Sequence, residues 1–311
     1  MKKLLIKLTL TILLPVLLFY ASYEVLMRSR PNAWRYKSEM CQKTDLSAVQ
    51  LMVLGNSHTL DDIWPRYFSF PAINLAQTSQ TYNYDCLLLE KYLPQMTNLE
   101  YVVMDISLTS PWERLDNGPS AWLCKRYAIY FGLRNHHWWE YRYHYYFSEV
   151  SPALLAALLA GPDPNPYDEQ GFPTNLERCD DIEAEAIEAS TRHSVDTSKL
   201  DIYNDNLRLM ESAIELCTKR DIKVIFVSCP MHPAYRKHID AGRLAIVRRY
   251  ADTFCQHPNV RWLNFYADAR FADSDFVNSD HLAPCGAAKL TTIIADTLDV
   301  IYSNPPATDL K

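Results

Sequence analysis

The sequence predicts an α/β protein, a three-layer sandwich with a central parallel sheet, and three observations predict it. Short, almost unbroken apolar runs recur at Leu51–Leu54, Tyr101–Ser107 and Lys223–Ser228, the pattern of strands buried on both faces. Longer stretches with helical periodicity separate them, Tyr84–Leu93, Leu200–Lys219 and Ala241–Phe254, so strand and helix alternate and right-handed crossovers follow. The first run ends in Gly55-Asn56-Ser57, where a glycine can turn the chain sharply at the carboxyl edge of a sheet and a new helix can begin.

Taken in order, the chain opens with an apolar run. Leu8–Tyr23 is near the length of a short membrane-spanning helix, and Lys7 can snorkel to the interface. A cleaved signal peptide is the alternative, but Ala21 and Ser22 lack a small partner three positions before a good cut, so residues 1–30 read as an uncleaved transmembrane anchor. Basic residues on both sides, Lys2, Lys3 and Lys7 before and Arg28, Arg30, Arg35 and Lys37 after, blunt any charge rule for orientation. Residues 31–48 read as a linker and 49–305 as the α/β domain. A short second strand at Ala72–Leu75, a fifth at Val260–Phe265 and a closing helix at Cys285–Ile301 complete the alternation. It breaks between about 110 and 197, an aromatic-rich helical insertion. There, aromatic residues crowd between Trp122 and Phe147, an apolar helix is expected at Ser151–Ala160, a proline-rich loop at Gly161–Pro166 and an acidic helix at Asp180–Ala189. This insertion is expected over the carboxyl edge of the sheet, its rings forming either a small core of their own or a platform for stacking on sugars.

Composition excludes several function classes. A formal net charge of -6, with no basic run beyond the first residues, argues against nucleic acid as a partner. Only seven glycines occur, and no glycine-rich phosphate loop can be drawn, so no nucleotide or other cofactor is expected. The eight cysteines form no C-x-x-C pair and no histidine cluster has metal spacing, so no metal site is expected; their even number permits disulfides, while Cys217, Cys229 and Cys255, on expected helices or strand ends, fit buried free thiols at least as well.

Two stretches carry chemistry. Ser57 stands outside the end of the first strand, beside a helix start, where an α/β enzyme places a nucleophile, although Asn56, Ser57 and Thr59 would serve equally as helix caps. Near the other end, Asn278-Ser279-Asp280-His281-Leu282 sets a histidine among carboxylates just before the last helix. With Asn74-Leu75-Ala76-Gln77-Thr78-Ser79-Gln80 after the second strand, these blocks resemble the SGNH (GDSL-like) hydrolase superfamily over roughly residues 50–110 and 220–300. Within it, Gly-Asn-Ser-His-Thr and Asp-His-Leu followed by Gly-Ala are similar to cell-envelope acyl-transfer proteins such as the D-alanyl-lipoteichoic acid protein DltD and the alginate acetylation proteins. The resemblance implies Ser57 as nucleophile, His281 as base, an acyl ester or glycan substrate, and a main domain outside the cytoplasm, with envelope proteins as further partners.

The sequence departs from the family pattern at the group that orients the base. An aspartate is expected three residues before the histidine, and Asn278 stands there; Asp280 is adjacent to His281 and is preferred as the orienter, with Asn278 the alternative. A separation of more than about 5 Å between Asp280 and Nδ1 of His281 would remove Asp280 from that role. The oxyanion glycine and asparagine of the family are also missing. Backbone N–H groups at Ser57 and near Ser79, with side chains of Asn56, Ser79 or Ser107, are the candidate donors, and His58 and His232 the candidate pocket residues. Two functions follow: an anchored serine esterase or O-acyltransferase acting on an envelope polysaccharide, or an inactive module of the same fold that binds glycan or scaffolds a partner.

Overall fold

A computed structural model describes residues 2–133, 139–152, 155 and 167–303. The chain forms two compact units, Met1–Glu39 with Pro119–Asn165, and Met40–Gly118 with Pro166–Lys311. In chain order the elements are helices α1 (Lys2–Leu8), α2 (Leu14–Ser29) and α3 (Ala33–Lys43), strand β1 (Leu51–Val53), α4 (Ser57–Asp62), β2 (Ala72–Asn74), α5 (Tyr82–Tyr92) and β3 (Tyr101–Asp105). After the insertion come α6 (Ile182–Arg192), α7 (Leu200–Thr218), β4 (Lys223–Ser228), α8 (Pro233–Arg236), α9 (Ala241–Phe254), β5 (Val260–Asn264) and α10 (Pro284–Leu298).

The second unit is the predicted three-layer sandwich. Its five strands pair in parallel in the order β2-β1-β3-β4-β5, so the chain reverses direction across the sheet beside β1. Open parallel sheets bind ligands outside the carboxyl ends of their strands at such a reversal, which is where the β1–α4 turn lies. Both faces are buried. Leu51, Val53, Val103, Ile225 and Val227 share one cluster with Leu290, Ile294 and Leu298 of α10. The alternate residues Met52, Val102, Met104, Val224 and Phe226 are no more than 1% exposed and face the opposite layer, where Phe226 meets Phe254 of α9 at 5.4 Å. That double burial is why the strands read as continuous apolar runs.

Two expectations are corrected. The stretch expected as a linker, residues 31–48, is mostly the helix α3 and a short 3-10 turn at Leu46–Ala48. The insertion is not one body: Pro119–Asn165 groups with the N-terminal helix, whereas residues from 166 on belong to the sheet unit. The acidic helix runs Ile182–Arg192, capped by Asp181 accepting from the N–H groups of Glu183 and Ala184. The apolar helix expected at Ser151–Ala160 and the loop at Gly161–Pro166 lie almost wholly outside the described residues.

In the first unit, Tyr127, Phe131, Tyr143 and Tyr146 are buried while Trp122, Trp139, Tyr145 and Phe147 stay exposed, so the aromatic run builds a small core and leaves rings outside it. Thr9–Ser29 is long and apolar enough to cross a membrane. Cys217 and Cys229 are buried free thiols and Cys255 is half-buried.

Candidate active site

The turn after β1 can be made by no residue but glycine. Gly55 has φ +119°, and a Cβ there would lie 2.5 Å from Oγ1 of Thr59 and 2.8 Å from Cβ of Asp105. Its N–H donates to Oδ1 of Asp85 at 2.9 Å. Asn56 then caps α4, its Oδ1 accepting from the His58 N–H at 3.0 Å, which makes Ser57 the first helical residue. Asn74 at the end of β2 is fully buried and pins α4 to the sheet, its Nδ2 donating to the carbonyls of Thr59, Leu60 and Ile63.

His281 arrives from a loop closed on itself. Phe276 and Leu282 form an antiparallel bridge, and the Val277 N–H donates to the His281 carbonyl at 3.1 Å. The loop meets α10 tightly: a Cβ on Gly286 would come within 2.2 Å of the Asp275 carbonyl oxygen. Leu282 N–H donates to the buried Oδ1 of Asp62 at 2.7 Å, which ties the loop to the helix carrying Ser57.

These constraints bring Nε2 of His281 to 2.9 Å from Oγ of Ser57. On the far side of the ring, Nδ1 lies 3.1 Å from Oδ1 of Asn278 and 3.2 Å from Oδ1 of Asp280. The Asn278 contact has hydrogen-bond geometry; the Asp280 oxygen is close but off axis and makes no hydrogen bond, so it acts by charge. Orientation and charge, which one aspartate usually supplies, are thus split between two residues. Burial by itself lowers the His281 pKa, but the carboxylates of Asp280 and Asp61 outweigh it and the net shift is upward. Asp61 was not foreseen; its Oδ2 is 3.9 Å from Nε2, on the serine side of the ring.

Behind the pair lies a buried charge cluster. His58 sits between two carboxylates, Nδ1 3.8 Å from Oδ1 of Asp105 and Nε2 3.8 Å from Oδ2 of Asp280. Burial opposes its charge, yet the two carboxylates push its pKa up to about 10, so it is an imidazolium at neutral pH. Asp280 resists burial in the same way and is held well below the usual carboxylate range by His281 and His58. His193 is the opposite case: burial and the His58 charge lower it to about 3, and its Nδ1 pairs with the Tyr235 hydroxyl at 2.8 Å. His58, His193 and Asp280 offer ligand atoms within 4.8 Å of one another, the one grouping among the described residues able to hold a metal ion. It comes from three elements, which spacing in the sequence does not reveal.

The remaining candidates divide. Asn56 Nδ2 donates to Oδ2 of Asp105 at 3.0 Å, so its amide is a strut of the turn. Ser107 is buried in the same network, its Oγ 2.7 Å from Oγ of Ser110, which donates to Asp105 at 2.5 Å. Ser79 is half-buried in a tight turn with φ +58°. His232 is drawn elsewhere, its Nδ1 accepting from the Ala234 N–H and its Nε2 3.0 Å from Oδ1 of Asp273, and it does not line the cavity beside His58. That cavity, about 360 Å³, is walled by Ile106, Leu108, Met231, Leu244 and Trp262, with His58, Ser107 and His193 at its polar end.

Sequence reading also missed Glu185, Arg192 and His193, all on or just after α6. Oε2 of Glu185 accepts from the Ser279 N–H at 2.8 Å, and Arg192 and His193 reach Oδ2 of Asp280 at 3.7 and 3.5 Å. The only available signal was a histidine closing a helix inside an insertion expected near the site.

No family profile and no curated protein matches this chain. Among solved structures its fold overlaps a "GDSL-like lipase" from Bacteroides thetaiotaomicron (13% identity, 86% of this chain and 97% of that one, TM-score 0.40). It also overlaps a "putative acylhydrolase" from Bacteroides fragilis (11% identity, 86% and 94%, TM-score 0.41). Overlaps this remote say nothing of this chain's chemistry, which rests on its own residues.

Proposed function

We propose that this protein is a membrane-anchored serine esterase or O-acyltransferase of the SGNH type, acting on an acyl ester of a cell-envelope polysaccharide. The 2.9 Å contact between Oγ of Ser57 and Nε2 of His281, with an orienting amide and a charge-balancing carboxylate behind the ring, carries this reading. Ser57 Oγ attacks the ester carbonyl as its proton passes to Nε2 of His281. The imidazolium so formed donates Nδ1–H to Asn278, and Asp280 balances its charge. Collapse of the tetrahedral intermediate expels the alcohol, which takes the proton from Nε2 and leaves Ser57 acylated. Water, for hydrolysis, or a glycan hydroxyl, for transfer, then attacks the acyl carbon with the same histidine as base. The envelope acceptor and the likeness to DltD-type and alginate acetylation proteins rest on the sequence motifs and the apolar N-terminal helix.

An inactive, glycan-binding role has one observation on its side: the Asn56 amide group is turned into the network of the β1–α4 turn, 3.0 Å from Oδ2 of Asp105 and 3.5 Å from Oγ of Ser107, rather than held out to an oxyanion. A serine-directed fluorophosphonate probe separates the two. Covalent labelling of the purified protein, lost in Ser57→Ala and in His281→Ala, supports the enzyme; an unlabelled native protein supports the binding module.

A further inference from the structure

We propose that residues 143–149 wrap the end of the N-terminal helix and form with it an aromatic collar that rests in the headgroup layer of a lipid bilayer. The proposal rests on reading that helix as a membrane anchor, and it specifies where the anchor leaves the hydrocarbon.

The helix changes character at Tyr20. Leu10, Leu13, Leu17 and Leu18 are all at least half exposed among the described residues. Beyond that point Tyr23 is only 2% exposed, and Glu24 forms an ion pair with Arg28 at 2.7 Å while accepting from the Phe147 N–H at 2.9 Å. Arg28 donates to the His144 carbonyl at 3.0 Å and lies over the Tyr145 ring at 5.7 Å. The Tyr130 hydroxyl donates to the Arg28 carbonyl at 3.3 Å, helping to satisfy the helix end. A charged pair in hydrocarbon is expensive, so a helix that meets its protein partners through Glu24 and Arg28 has left the bilayer core by residue 24. Leu4 to Tyr20 then remains for the core, about 25 Å at 1.5 Å per residue, near the lower limit for crossing the ~30 Å hydrocarbon layer. Lys2, Lys3 and Lys7 fall at its far end, within snorkelling reach.

The rings mark the boundary. Phe147 meets Tyr20 edge-on at 6.4 Å and stacks on Tyr145 at 5.1 Å, yet Tyr20, Tyr145 and Phe147 are 41, 39 and 36% exposed. Each ring therefore has one side on protein and one side open, at the level where apolar helix gives way to a charged pair. Aromatic residues with this split are what membrane interfaces collect. The open surface is continuous with the exposed face of the helix, which is why lipid is its occupant. Cleavage anywhere in residues 22–30 would strip Tyr20 from the collar, and a cut after residue 28 would also remove Tyr23, Glu24 and Arg28, so the same packing favours a retained anchor.

Photo-crosslinking in native membranes tests this with the full-length chain, benzoylphenylalanine replacing one residue at a time. Lipid adducts are expected from Leu13, Tyr145 and Phe147 and none from Tyr67, an exposed ring of the sheet unit. Lipid at Leu13 with only protein or glycan adducts at Tyr145 and Phe147 overturns the collar and leaves the anchor standing. No lipid adduct at Leu13 overturns the anchor itself. Lipid at Tyr67 as well overturns the specific contact.

Discussion

The turn that carries Ser57 is fixed almost entirely by its neighbours in sequence and by the strands beside it. Gly55 makes the bend, Asn56 caps the helix, Thr59 Oγ1 donates back to the Leu54 carbonyl at 2.9 Å, and Asn74 holds the helix from the next strand. The loop that carries His281 is held instead from far along the chain. Cys179 N–H donates to the Val277 carbonyl at 2.7 Å, Glu185 takes the Ser279 N–H, and the His232 N–H donates to the Ser279 carbonyl at 3.0 Å. Its charges are also met differently: Asp280 has no hydrogen bond on either carboxylate oxygen, and His58 none on either ring nitrogen. A nucleophile can be positioned by backbone geometry alone, whereas a base that must gain and lose charge needs other charges around it. Those come from wherever the fold can bring them.

The widest test of that contrast is Asp280→Asn. It removes the charge and leaves the Asn278 hydrogen bond in place. The plateau rate on a small acyl ester should fall on the order of 10²–10⁴-fold. Because His281 must be neutral to take a proton, and Asp280 helps hold its pKa above the ordinary value, the acid limb of the pH–rate profile should move to lower pH in the variant. A rate within threefold of native would mean that Asn278 alone orients the base and that the imidazolium needs no charge from Asp280.

His58→Gln probes the cluster's contribution to stability. Removing the imidazolium strands two buried carboxylates, a loss on the order of 3–5 kcal/mol for breaking a buried pair. The folded-state pKa of about 10 lies above the unfolded value near 6.5, so this stabilisation is complete below about pH 6.5 and is lost as pH rises through 10. The gap in melting temperature between native protein and variant should therefore be widest in acid and close toward pH 10. Kinetically the variant should shift the other way from Asp280→Asn, since removing a neighbouring cation raises the His281 pKa. A gap constant with pH would show that His58 is neutral in the folded protein.

How far the sequence revealed the site follows the same division. The sheet and the Ser57 turn were legible because strand periodicity, a glycine and a helix cap are local signals, whereas the pairing of Ser57 with His281, 224 residues apart, was implied only by the family resemblance. Glu185, Arg192 and His193 were not, because nothing in Ile182–His193 says which distant loop its helix will face. The insertion was taken as one body since its composition is uniformly unlike the flanking alternation, yet its two halves pack on different partners. His232 looked equivalent to His58, each a histidine after a strand. Only tertiary placement beside Asp273 rather than Asp280 separates them.

Glu185→Ala sharpens the contrast at smaller cost. It deletes a charge-assisted hydrogen bond to the loop tip from 94 residues away, which is worth about 1.5–3 kcal/mol. The melting temperature should drop, and the rate should fall with it because the loop positions both Asn278 and Asp280. Ser57 should still react with a small fluorophosphonate, more slowly than in the native protein. Unchanged stability and rate would mean that the loop is held without α6.

The smallest expected effect is that of Asn278→Asp, which restores the residue the family pattern has at this position. Oδ1 of Asn278 accepts three N–H groups, from the backbone of Asp280 at 3.1 Å, the backbone of His281 at 2.8 Å and the His281 ring at 3.1 Å. An aspartate keeps that oxygen and its geometry, so alignment of the ring does not improve. It adds a negative charge where Asp280 already supplies one 3.2 Å from the same nitrogen. The second charge should raise the His281 pKa further and carry the acid limb of the profile to higher pH, while the plateau rate changes by less than about threefold. Repulsion from the buried Asp280 should lower stability at neutral pH and relax in acid as the new carboxyl takes up a proton. A tenfold or greater rise in the plateau rate would show that Asp280, for all its proximity, leaves the imidazolium uncompensated, and that Asn278 limits the native rate.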